Sequence, residues 1–204
     1  MKKGSLVLGD TNICIYRTLA LIEPRILNRE LLDQTSNLIH ELTNNNFGCK
    51  IIITEIVKSE LDDERRLFGE INKFCTEKLH LDKGSYKIQR KARSASKSIK
   101  KFCESKFIGV KLLNDIKTYP LHLPRVDAFY SKHIKRLKEI TTNKIRYLEP
   151  YDQKSKLSQR PNFLPEKNDR LLLSQAVELK SRFAQDVYIL SNDSDFTEFK
   201  KEIP

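Results

Sequence analysis

Three short apolar segments of the chain each end in polar residues. They run from Ser5 to Asp10, from Lys50 to Thr54 and from Val187 to Leu190. Short apolar runs with polar ends are typical of buried strands. Because segments with helical spacing separate them, the pattern favours a parallel sheet with helices on both faces. We therefore predict an α/β fold, a three-layer sandwich in which helices flank a parallel sheet of about four or five strands.

Apolar residues recur at helical spacing in several segments between these strands. A helix is predicted to open near Thr11, and the periodicity predicts further helices over residues 26–45, 55–79 and 126–146. Another helix is expected to begin at Asn168 and Asp169, since both residue types cap helices well. The segment from Glu149 to Pro165 contains three prolines and little periodicity, which predicts a loop.

The chain carries a large positive charge. Of its 204 residues, 38 are Lys or Arg and 27 are Asp or Glu, which gives a formal net charge of +11. Such a surplus attracts polyanions, nucleic acid before an anionic membrane surface. The 39% of hydrophobic residues can bury a core, which excludes a wholly disordered chain. Since no apolar run approaches roughly 20 residues and charges occur near the N-terminus, we expect a cytoplasmic protein without a membrane span or signal peptide.

Several function classes find no support in the motifs. The histidines are scattered without a Ser or Cys partner, which argues against a triad hydrolase. The six glycines form neither a P-loop nor a dinucleotide fingerprint. The cysteines lie far apart without a C-x-x-C pair, so we interpret them as reduced core residues. They are Cys14, Cys49, Cys75 and Cys103.

Acidic residues occur where the predicted strands end. Asp10 ends the first strand, whereas Asp193 and Asp195 follow the last. The carboxyl ends of parallel strands share one edge of a sheet, and ligands bind at that edge. Asp169 at a helix start and Glu60, two turns into the helix after the second strand, are placed to reach the same edge. Clustered carboxylates repel one another unless cations intervene, and hard oxygen ligands suit Mg²⁺ or Mn²⁺.

Each of these residues also has an ordinary structural interpretation. Asp169 is a natural helix cap, Asp10 a strand-end turn residue, and Glu60 one more solvated helix charge. Glu55, just past the second strand, is a rival for the role of Glu60. We prefer Glu60 because a side chain two turns into a helix points back toward the strand edge.

Four motifs together resemble the PIN (PilT N-terminal) domain family of metal-dependent ribonucleases. The first strand ends in Asp-Thr-Asn at residues 10–12, and an apolar strand leads to a Glu-Leu pair at residues 60–61. A helix then opens on Asp169, and the last strand runs into Ser-Asn-Asp-Ser-Asp-Phe at residues 191–196. The match covers about residues 4–62 and 165–204. The phrase Arg-Pro-Asn-Phe at residues 160–163 resembles a larger bacterial PIN-like subgroup with a long basic insertion.

The resemblance implies a single PIN-like domain over residues 1–204 with a basic, mostly helical insertion at 80–165. It implies a divalent-metal-dependent endoribonuclease that uses Mg²⁺ or Mn²⁺, with a toxin or defence effector as its setting. Asn12 and Ser191 would support the pocket. The implied catalytic residues are Asp10, Glu60, Asp169 and Asp193, and the implied metal ligands are Asp10, Asp169 and Asp193, with Asp195 as an auxiliary ligand.

Basic residues in the middle of the chain are candidates for binding nucleic acid. From Lys83 to Cys103 there are eight Lys or Arg and no acidic residue. If this segment is helical, several of its cations share one broad face, where they can contact phosphates. The alternative is a solvated surface. The candidates are Lys87, Arg90, Lys91, Lys97 and Lys101, with Lys132 and Arg136 from the following helix.

RNA is the expected partner, either single-stranded or structured, whereas a homodimer or a protein partner is left open. Two alternative functions stay open as well: a structure-specific DNA nuclease of the flap-cleaving type, and an RNA-binding scaffold that no longer cleaves. A phosphatase of the haloacid dehalogenase type needs Asp-x-Asp after the first strand, and Asn12 does not fit that pattern.

Overall fold

The structure is a computed structural model that describes residues 5–22, 30–43, 49–77, 86–106, 121–146, 148, 150–183 and 186–202. The chain forms two compact units, Met1–Lys117 and Thr118–Pro204. The α/β class is confirmed, because helices separate the strands along the chain. The described residues contain three strands, fewer than the four or five expected.

The strands of the first unit form a parallel pair. Strand β1 (Leu6–Gly9) pairs with β2 (Lys50–Ile52), with Leu6 opposite Lys50 and Leu8 opposite Ile52. Gly9 allows the close approach at the end of β1, since a Cβ there would lie 3.0 Å from Ile53 Cδ1. Both strands are a residue or more shorter than predicted, because their polar ends turn into the helices that follow.

Five helices of the first unit lie in the described residues. They are α1 (Thr11–Ile22), α2 (Glu30–Thr43), α3 (Glu55–Asp62), α4 (Glu64–Glu77) and α5 (Tyr86–Lys106). The prediction of one helix over 55–79 was wrong, because Asp63 interrupts it. The Oδ1 atom of Asp63 accepts hydrogen bonds from the backbone N–H groups of Arg65 (3.2 Å) and Arg66 (3.1 Å). This side chain caps a new helix and ends the preceding one.

Helix α5 confirms that the basic segment is helical from Tyr86 onward, whereas Lys83 lies outside the described residues. Its apolar face is fully buried and packs against α4 and α1. The spacing of that face is the helical one. The buried residues are Ile88, Ala92, Ala95 and Ile99.

The second unit contains one described strand, β3 (Val187–Leu190), with the bounds predicted from the sequence. Its helices are α6 (Leu123–Lys132), α7 (Ile134–Ile145), α8 (Pro150–Ser158), α9 (Lys167–Phe183) and the short α10 (Ser194–Thr197). A 3₁₀ turn covers Pro161–Phe163.

Two sequence predictions for this unit were wrong. The expected helix over 126–146 is divided at His133, whose ψ of 23° departs from helical geometry. The expected loop from Glu149 to Pro165 contains α8. Proline is favourable as the first residue of a helix, where its missing N–H needs no partner, and α8 begins at Pro150.

Aromatic and aliphatic side chains form the core of the second unit. Tyr130 of α6 is fully buried and meets Phe199 edge-on, with ring centroids 5.6 Å apart. Helix α9 packs against α6 and β3 and buries Leu172 and Leu173. This core holds in place the segment that follows β3.

Two further expectations concern the membrane and the cysteines. In the part of the chain that the structure describes, no helix is long and apolar enough to cross a membrane. The thiols of Cys14, Cys49 and Cys75 are buried and unbridged, in agreement with their interpretation as reduced core residues. The side chain of Cys103 lies outside the described residues.

Candidate active site

The Asp-Thr-Asn motif fixes the Asp10 carboxylate at the junction of β1 and α1. Asp10 is 7% exposed, and its backbone oxygen accepts hydrogen bonds from the N–H groups of Ile13 and Cys14, which starts the helix. Its Oδ1 accepts from the Thr11 N–H at 2.7 Å, and its Oδ2 accepts from Asn12 Nδ2 at 2.8 Å. Both residues that follow Asp10 therefore orient its side chain, and the supporting role of Asn12 in a catalytic pocket stays a prediction.

Glu60 and Asp10 both accept hydrogen bonds from Thr11. The Thr11 hydroxyl donates a hydrogen bond to Glu60 Oε2, while the Thr11 N–H binds Asp10. Arg66 forms an ion pair with Glu60 Oε1 at 2.9 Å, and the Glu60 side chain is only 10% exposed. Glu60 is thus not a solvated helix charge.

Glu55 has a different environment from Glu60. It is the first residue of α3 and is exposed, whereas the preceding Thr54 is buried and caps the helix by accepting from the Val57 N–H. An acidic residue in the first turn of a helix interacts favourably with the helix dipole, which is sufficient to explain Glu55. The geometry of the first unit therefore favours Glu60 over Glu55 as the partner of Asp10.

Asp193 occupies the turn between β3 and α10. It caps α10, because its Oδ1 accepts from the Asp195 N–H at 2.8 Å, and the same oxygen accepts from Lys144 Nζ at 2.8 Å. Its backbone N–H donates to the hydroxyl of Ser191 at 2.9 Å, and the supporting role of Ser191 in a catalytic pocket stays a prediction. Its Oδ2 makes no hydrogen bond with the residues that the structure describes. The side chain is 32% exposed, so this oxygen can accept a ligand.

Asp195 differs from Asp193, because the chain's own cations bind both of its oxygens. Arg160 donates from NH1 to Oδ2 and from NH2 to Oδ1, each at 2.8 Å, and Lys144 Nζ lies 3.1 Å from Oδ2. The side chain is 1% exposed. Both carboxylate oxygens therefore have charged donors in a buried ion pair, and the role of Asp195 as an auxiliary metal ligand stays a prediction.

Asp169 lies within the first turn of α9, which begins two residues earlier at Lys167. It is therefore inside the helix and not at the cap position that its ordinary interpretation required. Its negative charge acts on both Tyr130 and Arg160, as do the charges of Asp193 and Asp195. The second unit thus brings the carboxylates of Asp169, Asp193 and Asp195 into one electrostatic neighbourhood.

The ionisation of the groups around these carboxylates reflects their surroundings. Burial, reinforced by the three carboxylates, raises the pKa of the Tyr130 hydroxyl. Burial alone would lower the pKa of Lys144, but the charges of Asp193 and Asp195 reverse that effect and raise it. For Asp195, burial would raise the pKa, but Arg160 and Lys144 outweigh it and hold the pKa below its usual range. Asp195 and Arg160 are therefore both charged at neutral pH.

Sequence reasoning missed three residues that contact the candidate carboxylates, one in the first unit and two in the second. Thr11, Lys144 and Arg160 each contact a candidate carboxylate, but none was expected to do so. Arg160 belongs to the Arg-Pro-Asn-Phe motif at residues 160–163, which resembles a PIN-like subgroup but predicts no role for this side chain. Lys144 lies among many cations of α7, and nothing in the sequence distinguishes it from its neighbours.

The predicted nucleic-acid contacts fall into two groups. On α5, Lys87, Arg90, Lys97 and Lys101 are exposed opposite the buried face, and Lys91 is half-buried. Lys132 is also exposed. Arg136 instead forms ion pairs with Glu198 (3.3 Å) and Glu202 (3.1 Å), and its guanidinium lies 4.8 Å from the centre of the Phe199 ring. Arg136 therefore has an intramolecular role.

The donor chemistry of both units fits a hard divalent cation. Asp10 and Glu60 share one threonine in the first unit, and Asp193 presents an oxygen in the second. Carboxylate oxygens are the preferred ligands of Mg²⁺ and Mn²⁺. Across the described residues, however, no group of three or more His, Cys, Asp or Glu side chains forms a ready metal site.

Comparison with known proteins identifies one family. A family model described as PIN domain matches residues 9–198, which is most of the chain. No curated protein matches the sequence significantly. No solved structure does so either.

Proposed function

The chain belongs to the PIN domain family, and from that premise we propose that it is a divalent-metal-dependent endoribonuclease. Family membership supports a nuclease-type function in general. The use of Mg²⁺ or Mn²⁺ and the choice of RNA are the parts that we propose. Asp10, Glu60, Asp169 and Asp193, the residues that the resemblance to the family's motifs implies, are the proposed catalytic residues.

The single observation that carries the proposal is the pairing of Asp10 with Glu60 through Thr11. Two carboxylates 50 positions apart in sequence converge on one threonine, and both side chains are largely withdrawn from solvent. Closely spaced, shielded carboxylates are costly unless a cation neutralises them. Arg66 neutralises part of that charge, and a divalent cation would neutralise it further.

The proposed chemistry assigns a task to each carboxylate. When bound, the divalent ion would activate water and stabilise the charge that develops on the phosphate. By the resemblance to the family, Asp10, Asp169 and Asp193 would be the metal ligands; of these, Asp10 is fixed in orientation by Thr11 and Asn12. Glu60 would accept a proton from the attacking water or orient it, since its Oε2 accepts from the hydroxyl of Thr11, the residue whose N–H orients Asp10.

The substrate class follows from charge. The exposed cations of α5 define a basic face, consisting of Lys87, Arg90, Lys97 and Lys101. No acidic residue interrupts the sequence over this face, so it can bind successive phosphates of a polyanion. Phosphate contacts carry no base identity, and we accordingly propose RNA recognition that is largely independent of sequence.

The test is cleavage of a labelled RNA by variants matched in charge. Glu60→Gln should lower the rate at least about a hundredfold in Mg²⁺, a typical loss for an acid–base group. Glu55→Gln removes the same charge from the same helix and should cleave at the wild-type rate. Equal rates for the two variants would contradict the assignment of Glu60.

A panel of substrates separates RNA from DNA. The proposal predicts cleavage of single-stranded or structured RNA and little cleavage of a matched DNA flap. Preferential cleavage of the flap would favour the DNA nuclease instead. Tight RNA binding without any cleavage in Mg²⁺ or Mn²⁺ would favour the non-cleaving scaffold.

A further inference from the structure

The charged side chains of Arg160, Lys144 and Asp195 form a cluster next to Asp193. The roles predicted from the sequence do not explain this cluster. Arg160 precedes the 3₁₀ turn, and its side chain is 5% exposed. Its guanidinium donates a hydrogen bond to each oxygen of the buried Asp195 carboxylate, in a bidentate arrangement. Such a fork is geometrically specific, because two parallel donors fix the plane of the carboxylate.

The backbone of Asp195 is fixed on a second side. The hydroxyl of Tyr130 donates to the Asp195 carbonyl oxygen at 2.9 Å, and Tyr130 itself is fully buried in the core of the unit. Asp195 is thus held by its side chain and by its main chain. Its N–H group therefore has a set direction.

That N–H group is aimed at Asp193. It donates to Asp193 Oδ1 at 2.8 Å, and Lys144, which bridges Asp193 and Asp195, donates to the same oxygen at 2.8 Å. With one oxygen taken by two donors, the carboxylate has little rotational freedom. Its Oδ2, which binds none of the described residues, is presented in one orientation.

The turn that carries Arg160 has an unfavourable backbone. Asn162 and Phe163 have positive φ values of 55° and 62°. Consecutive non-glycine residues in this region are uncommon, and strained backbone persists only where other contacts enforce it. The Arg160–Asp195 pair is a contact of that kind. It connects this turn to the segment after β3, 35 residues away.

We propose that Arg160 is a positioning residue for the metal ligand Asp193, acting through Asp195 and Lys144. The inference rests on the proposed function and deepens it. Arg160 contacts neither the ion nor the RNA; it fixes the Asp195 side chain, and Asp195 in turn orients Asp193. Groups that orient a metal ligand typically contribute about tenfold or more to metal affinity.

The experiment measures Mn²⁺ binding to the full chain without RNA, by titration calorimetry. Arg160→Lys keeps the charge but loses the bidentate geometry, and should raise the Mn²⁺ dissociation constant about tenfold. Its RNA affinity in EDTA should equal that of wild type. Arg182→Lys is the matched control: Arg182 pairs with the buried Glu178 at 2.6 Å, roughly 20 Å along α9 from Asp169. This control should bind Mn²⁺ as wild type does.

A second variant covers the case in which Arg160→Lys fails to fold. The double variant Arg160→Met with Asp195→Leu removes both buried charges at similar volume, a replacement that proteins often tolerate. Without the Arg160–Asp195 ion pair, Asp193 is no longer held in one orientation. The double variant should therefore also bind Mn²⁺ about tenfold more weakly. Wild-type Mn²⁺ affinity in whichever variant folds would overturn the positioning role alone. A wild-type protein that neither binds Mn²⁺ nor shows EDTA-sensitive cleavage would overturn the proposed function as well.

Discussion

Removal of Arg160 should reveal the energetic role of the buried ion pair. In Arg160→Met the aliphatic part of the side chain is kept, but Asp195, 1% exposed, loses both hydrogen bonds from the guanidinium. Breaking a buried pair on one side costs about 3–5 kcal/mol. Lys144 remains 3.1 Å from Oδ2, so we expect the lower end, about 3 kcal/mol. For a chain of this size the melting temperature should fall by about 6–12 °C.

The loss in free energy of unfolding caused by Arg160→Met should be smaller at low pH. In the wild type, Arg160 and Lys144 overcome the effect of burial and lower the pKa of Asp195, so its stabilising contribution is present above its unfolded pKa. That contribution is lost only as the pH falls through the lower, folded-state pKa. In Arg160→Met, burial is opposed by Lys144 alone, and the pKa of Asp195 rises. Protonation then relieves the buried charge, so the deficit should be smaller at pH 5 than at pH 7.

Urea denaturation at both pH values measures the free energy of unfolding directly. The double variant Arg160→Met with Asp195→Leu is the control, and it should recover most of the loss because no buried charge is left unpaired. A deficit below about 1 kcal/mol at pH 7, the range of exposed ion pairs, would refute the reasoning. So would a double variant less stable than the single one.

Three further predictions concern packing, backbone and charge. Gly9→Ala places a Cβ 3.0 Å from Ile53 Cδ1 and should cost about 1 kcal/mol, which Ile53→Val should partly restore in a denaturation cycle. Asn162→Val puts a β-branched residue at φ 55° and should destabilise the protein by about 1–2 kcal/mol, whereas Asn162→Gly should not. Reversal of the basic face of α5 to Glu should weaken RNA binding uniformly across sequences, and each lost contact should flatten the salt dependence of log affinity by about 0.7, as fluorescence anisotropy can show. Unchanged affinity would make that face a solvated surface.

Local patterns in the sequence were sufficient to predict the elements that carry the acidic residues. Strand β3 has the predicted bounds, and Asp10 lies at the predicted end of β1. An apolar run with polar ends is a local property, so no distant contact is needed to recognise it. The breaks at Asp63 and His133 were missed, because neither changes the apolar period. At Asp63 a side-chain cap competes with the helix, whereas at His133 the backbone departs from helical geometry without a side-chain cap.

The buried ion pair of Asp195 could not be predicted. The resemblance distinguished Asp193 as a metal ligand from Asp195 as an auxiliary ligand, but nothing in this turn indicated that an arginine would bind Asp195. Asp193 and Asp195 differ because Arg160, 35 positions away, binds one of them and leaves the other with an oxygen exposed. Such a pairing depends on the tertiary fold. The same holds for Thr11, whose hydroxyl reaches Glu60 across 49 positions.

Cleavage of labelled RNA by wild type and Asp10→Asn tests the central claim most directly. Asp10→Asn keeps the shape of the side chain but removes the charge proposed to hold the ion. The account predicts that wild-type cleavage stops in EDTA and returns on addition of excess Mg²⁺, and that folded Asp10→Asn cleaves in neither condition. Wild-type cleavage that persists in EDTA, or Asp10→Asn that cleaves at the wild-type rate in Mg²⁺, would contradict it.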